Sequence, residues 1–133
     1  MTTPEALDRQ EEIFRQAFEA GDIRIARDLY HSEVVYRSPT VRLFGWPLEI
    51  EGVEKTLEFI AVTVRDCRHV RYRAVERAIG PAGAFVRIHF DWALGDRRVR
   101  SNYVVIYRYR QERITRQELY YDPGGELEDL GPA

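Results

Sequence analysis

From Arg68 to Tyr121 the chain is written for long β-strands, and this half restricts the possible folds most. β-Branched and aromatic residues dominate it. Turn signals recur at Gly80-Pro81-Ala82-Gly83, Gly95-Asp96 and Gln111-Glu112. The pattern predicts four strands, about 69–79, 84–94, 98–110 and 113–122, joined as successive hairpins. Alternation splits each strand into two faces. In 84–94 the apolar list is Val86, Ile88, Phe90 and Trp92, and the opposite list is Phe85, Arg87, His89 and Asp91. In 98–110, Val99, Ser101, Tyr103, Val105, Tyr107 and Tyr109 oppose a charged list that Val104 and Ile106 interrupt. In the last strand Thr115, Gln117, Leu119 and Tyr121 oppose Ile114, Arg116, Glu118, Tyr120 and Asp122.

The first half reads as helices. Thr3-Pro4-Glu5 is a helix start, with a hydroxyl cap, a proline in the first turn and then an acid. Leu7, Ile13, Phe14, Ala17 and Phe18 form its apolar stripe, and Gly21 ends it. Asp22 caps a second predicted helix carrying Ile23, Ile25, Ala26, Leu29 and Tyr30. Val34-Val35-Tyr36 is a short strand closed by Ser38-Pro39, because proline cannot continue a ladder. Residues 40–51 are expected as a loop, after which Gly52 opens a third helix with Val53, Leu57, Ile60 and Val64 on one side. Helices first and a meander afterwards give an α+β domain over 1–123, followed by a short, loose acidic tail over 124–133.

Composition excludes several classes. The 133 residues suit one domain, and 44% hydrophobic content with 12% aromatics is enough to fill a core. Twenty basic against 22 acidic residues leave a net charge of −2, with no field to gather nucleic acid. The arginines Arg71, Arg73, Arg87, Arg98, Arg100, Arg108 and Arg110 read as an outer face, solvated or in contact with a second copy. Cys67 is alone, so no internal disulfide forms, and His31, His69 and His89 lack metal-ligand spacing. Neither a metal nor another cofactor is expected. The polar opening MTTPEALDRQ predicts no secretory leader, and no apolar run approaches the roughly 18 residues of a membrane span. A cytoplasmic protein without membrane partners is the expectation.

The order of these parts resembles the nuclear transport factor 2-like superfamily, which includes ketosteroid isomerases, limonene epoxide hydrolase, scytalone dehydratase and SnoaL-type polyketide cyclases. The resemblance rests on Phe18-Glu19-Ala20-Gly21-Asp22, Val34-Val35-Tyr36-Arg37-Ser38-Pro39, Glu51-Gly52-Val53-Glu54 and Glu118-Leu119-Tyr120-Tyr121-Asp122-Pro123. It covers roughly residues 5–123. It implies a cone-shaped, curved mixed or antiparallel sheet wrapped around three N-terminal helices, with a small hydrophobic molecule inside. It also implies functional positions that this chain fills differently. The isomerases' catalytic carboxylate, oxyanion-hole tyrosine and protonated aspartic acid fall on Ser38, Phe14 and Val105. None of these side chains can replace its counterpart: Ser38 is far too weak a base, and Phe14 and Val105 have no proton to donate. The last-strand aspartate of the cyclases and the hydrolase falls on Leu119, three residues before Asp122. The hydrolase's Arg-x-Asp falls near His89-Phe90-Asp91.

With the inward faces set by this resemblance, the expected lining is Phe14, Phe18, Tyr36, Ser38, Phe59, Ile88, Phe90, Trp92, Tyr103, Val105, Tyr107, Gln117, Leu119 and Tyr121. Such a site suits a flat or lipophilic ligand with one or two oxygen functions. The catalytic candidates are Tyr103, Glu76, Asp122 and Asp91. Glu76 alternates with Val70, Tyr72 and Ala74 and is the best candidate for an inward carboxylate, the alternative being a pair with a neighbouring arginine at the open end of the cone. Three functions remain open: a cyclase, dehydratase or isomerase without the usual aspartates; a non-catalytic ligand binder; and a dimeric interaction module joined through Val104, Ile106 and the outer face.

Overall fold

The structure is a computed structural model that describes residues 2–121 and 127–133. Helix α1 (Pro4–Ala20) starts where the Thr3 hydroxyl accepts the Ala6 N–H at 3.1 Å, and Pro4 occupies the first turn. It ends at Gly21, whose left-handed backbone (φ 70°) returns its N–H to the last carbonyls. The segment expected as a second helix, Ile23–Leu29, is instead a 3₁₀ turn capped by Asp22. Only Ile23 and Ala26 are buried in it, a spacing of three that matches the tighter helix. Strand β1 (Tyr30–Arg37) is longer than the Val34–Tyr36 expected. The expected loop contains a 3₁₀ turn, Pro39–Phe44, and a three-residue strand β2 (Glu49–Glu51) with only Ile50 buried. Helix α2 (Val53–Val64) follows.

The four predicted hairpin strands are β3 (Arg68–Gly80), β4 (Gly83–Leu94), β5 (Arg97–Arg110) and β6 (Arg113–Tyr121). A seventh strand, β7 (Glu128–Pro132), corrects the expectation of a loose tail. It pairs antiparallel with Arg97–Arg100 of β5, and Arg97 holds Asp129 at 2.8 Å. Among the described residues the sheet order is β2-β1-β6-β5-β4-β3, with β7 beside β5 beyond the end of β6. All pairs are antiparallel except β1 with β6, so the sheet is mixed. It stays open and curved, with α1 against β3 and α2 against β1. No described helix is long and apolar enough to cross a membrane.

Two bulges decide which side chains face the helices. In β3 the register passes from Ala74↔Ile88 to Glu76↔Arg87, leaving Val75 unpaired. Glu76 is thereby turned outward, where it pairs with Arg87 at 2.6 Å. Of the two expectations for Glu76, the pair with a neighbouring arginine is the one observed, and the inward direction fails because an extra residue reverses the alternation. In β6 the register passes from Tyr109↔Ile114 to Arg108↔Arg116, leaving Thr115 unpaired. Ile114 and Gln117 are therefore both buried, although alternation had set them on opposite faces.

Phe14 lies at the centre of the packing. Its ring is 6.1 Å from Phe18 and Tyr30 and 6.2 Å from Tyr107, joining α1 to β1 and β5. Gly83 sits so close to β5 that a Cβ there would stand 2.0 Å from the Tyr107 carbonyl oxygen, which explains a glycine at the head of β4.

Candidate functional site

The concave face of the sheet and the two helices enclose a cavity of about 490 Å³. Phe18 of α1, Tyr72 of β3, and Phe90 and Trp92 of β4 form one aromatic wall. Phe18 stacks on Tyr72 at 5.1 Å and meets Phe90 edge-on at 5.4 Å. Tyr103, Val105 and Tyr107 of β5 line the floor, with Gln117, Leu119 and Tyr121 of β6 beside them. Tyr36, Pro39, Thr40, Leu43 and Phe44 close the β1 side, and Ile60, Thr63, Val64 and Cys67 the α2 side. Ser101, Asn102 and Leu127 complete the described lining, which contains no charged side chain.

Ten of the fourteen side chains expected to line the hollow do so. Phe14, Ser38, Phe59 and Ile88 instead lie behind the lining, fully buried. Phe18, one turn after Phe14, reaches the space that Phe14 was expected to fill. Phe59 is shielded by Phe44 and Trp46, whose rings lie 5.9 and 5.3 Å away. Ser38 caps the Pro39–Phe44 turn by accepting the Thr40 N–H, and its hydroxyl lies 2.8 Å from that of Thr40.

The polar groups differ in how fully they are satisfied. Tyr30 donates to Gln117 Oε1 at 2.6 Å, which fixes the amide of Gln117 at the floor. The hydroxyls of Tyr103 and Tyr107 have no hydrogen-bond partner among the described residues, although both side chains are buried and line the cavity. Burial pushes both phenols well above their ordinary pKa, so they remain proton donors.

Neither of the described candidate acids, Glu76 and Asp91, lines the hollow. Glu76 is exposed. Asp91 faces away from the cavity and is held by Arg100 through two contacts, 2.7 and 3.1 Å. Phe90 between His89 and Asp91 points inward, so alternation carries both neighbours to the outer face. Asp122 lies outside the described residues. Leu119 and Val105, which stand where the resemblance implied acids, face the cavity as hydrocarbon. Among the described residues no group of three or more His, Cys, Asp or Glu is placed to hold a metal ion.

The sequence reading missed the buried carboxyl of Glu11, which is 3% exposed. Its Oε1 accepts the Tyr72 hydroxyl at 2.7 Å, and its Oε2 accepts the Gln10 amide at 2.9 Å. Gln10 in turn accepts the Tyr109 hydroxyl at 2.7 Å. Burial raises the Glu11 carboxyl above the ordinary carboxylate range, and the donors from Gln10 and Tyr72 offset this only in part. The signal was the spacing of Leu7, Glu11, Phe14 and Phe18 along one helix face.

Helices backed by a curved open sheet around one aromatic hollow define a nuclear transport factor 2-like cone. The chain belongs to the SnoaL-like domain family, whose model matches residues 11–117. The fold is similar to that of TsrD from Streptomyces laurentii, with a TM-score of 0.74, 17% identity and 94% of each chain covered. It is also similar to a SnoaL-like protein of unknown function from Burkholderia thailandensis E264, with a TM-score of 0.71, 16% identity, and coverage of 92% of this chain and 99% of that one. An LEH-like epoxide hydrolase of M. tuberculosis is similar at a TM-score of 0.66 and 19% identity, covering 90% of this chain and 84% of that one. A comparison with curated proteins gave no match.

Proposed function

We propose that the protein binds a small, uncharged, planar or lipophilic molecule in the aromatic cavity and acts on it as an isomerase, cyclase or dehydratase. It would do so without the aspartates that related enzymes use. The observation that carries this reading is the pair of cavity-lining phenols, Tyr103 and Tyr107, which hydrogen-bond no described residue, in a described lining with no charge. A ligand oxygen entering the cavity can accept from these hydroxyls, in apolar surroundings that strengthen the bond. An ionic ligand would lose its hydration and meet no counter-charge in the described lining.

A thermal-shift screen tests this. Neutral aromatic ketones and phenols are expected to raise the melting temperature, and their charged analogues are not. Tyr103→Phe is expected to weaken a ketone ligand about tenfold, the value of one hydrogen bond to a buried donor. If no neutral aromatic compound stabilises the wild type, the cavity does not have this role.

A second copy of the chain is the partner we propose for the outer sheet face. Phe85 pairs with Ile106, and Val104 with Tyr120, so four apolar side chains adjoin across β4, β5 and β6. Phe85 and Tyr120 are each half exposed. Ion pairs of both signs flank the patch, Arg87 with Glu76 and Arg116 with Glu118, which suits a self-complementary two-fold contact.

A further inference from the structure

Tyr72 belongs to two hollows at once. On one side it lines the aromatic cavity; on the other it lines a polar surface cleft with Asp8, Glu11, Glu12, Arg15, Arg73 and Arg77. Its hydroxyl donates to Glu11 Oε1 at 2.7 Å. Its backbone N–H donates to Glu19 Oε2 at 3.0 Å, two helical turns further along the same face of α1. Helix α1 therefore clamps Tyr72 at both backbone and side chain. Among the described residues Glu11 forms no ion pair, and both of its hydrogen bonds come from the uncharged side chains Gln10 and Tyr72.

We propose that Tyr72 and Glu11 form the proton acceptor of the cavity, with Tyr72 touching the ligand and Glu11 acting through it as a positioning residue. This rests on the cavity being a ligand site. The ligand class it adds is a neutral aromatic molecule with an acidic hydroxyl or an enolisable carbon. The ligand's O–H or C–H bond breaks and its proton passes to the Tyr72 oxygen. The Tyr72 proton passes in the same movement to Glu11 Oε1. The electron pair stays on the ligand as an oxyanion or enolate, which Tyr103 and Tyr107 are placed to receive as donors. Charge is conserved, since one carboxylate is consumed and one ligand anion formed. A carboxyl with a raised pKa is the stronger base for this transfer, and the cleft gives it a route to solvent. The groups that set its titration are Arg77 and Tyr72 of β3, Gln10 and the α1 charges Asp8, Glu12 and Arg15, and the phenols of Tyr30, Tyr103, Tyr107 and Tyr109.

The test compares 2-naphthol with its methyl ether, 2-methoxynaphthalene, which has the same rings and no acidic proton. The wild type is expected to bind the naphthol about tenfold more tightly, the worth of a charge-assisted hydrogen bond. Glu11→Gln and Tyr72→Phe are each expected to remove that preference, bringing the naphthol's affinity down to that of the ether. A structural role for Glu11 would move both ligands together. The wild type alone supplies an arm that needs no variant to fold. Its preference is expected to disappear as pH falls from about 8 to about 4 and Glu11 takes up its proton. A preference that survives this pH range, or either folded variant, overturns the assignment. Binding of neither compound removes the cavity reading itself, and this proposal with it.

Discussion

Glu11 and Asp91 are both more than nine-tenths buried, and they are held in opposite ways. Asp91 meets a guanidinium through two short contacts, so its charge is matched where it sits. Glu11 meets an amide and a phenol, which satisfy its lone pairs without cancelling its charge. Its folded pKa is raised above the unfolded value, so the folded state binds the proton more tightly. The stability this contributes is fully present below the unfolded pKa and is lost as pH rises through the folded one. Wild type and Glu11→Gln are therefore expected to diverge with pH in urea unfolding. The wild type should lose stability relative to the variant as pH rises above about 4.5, the unfolded carboxylate value. Parallel curves would show that Glu11 does not titrate in this range.

Among the elements, the β5–β6 hairpin carries visible strain. Gln111 and Glu112 both adopt positive φ, 53° and 66°, as a two-residue turn of the mirror-image type demands. Neither residue favours that region, whereas Asn-Gly does. Replacing the pair by Asn-Gly is expected to raise unfolding free energy by about 1–2 kcal/mol with an unchanged denaturant slope. The four long strands and both α-helices were legible because alternation and helical stripes persist over many residues. What escaped was local or long-range. Val75 and Thr115 each shift a register by one without any compositional sign, and Glu76 and Ile114 changed faces as a result. Strand β7 has five residues, including Gly131 and Pro132, and owes its form to a partner about thirty positions away. Much of the lining was readable as the inward face of β4, β5 and β6. The Pro39–Phe44 turn and the end of α2 were not, since irregular backbone has no period to follow.

For the whole molecule, the two faces of the sheet carry different expectations. The inner face is committed to core and cavity. The outer face joins Phe85, Val104, Ile106 and Tyr120 within a field of ion pairs. A dimer is the expected species in sedimentation at high micromolar concentration. Ile106→Glu is expected to sediment as a monomer that still binds the cavity ligand, because this side chain stands on the opposite face of β5 from its lining neighbours Val105 and Tyr107. A monomeric wild type would remove the outer-face contact.

The placement of Cys67 has a practical consequence. It is the sole thiol of the chain, it is partly buried, and it stands in the cavity wall near Tyr121. Burial raises its pKa, so alkylation by a small maleimide should be slow at neutral pH and accelerate as pH rises. A molecule seated in the cavity should slow that reaction further. The native sequence thus carries its own occupancy reporter, readable by intact-mass spectrometry without any label, substrate or assay of turnover. A compound that raises the melting temperature but leaves the alkylation rate untouched would be binding somewhere else.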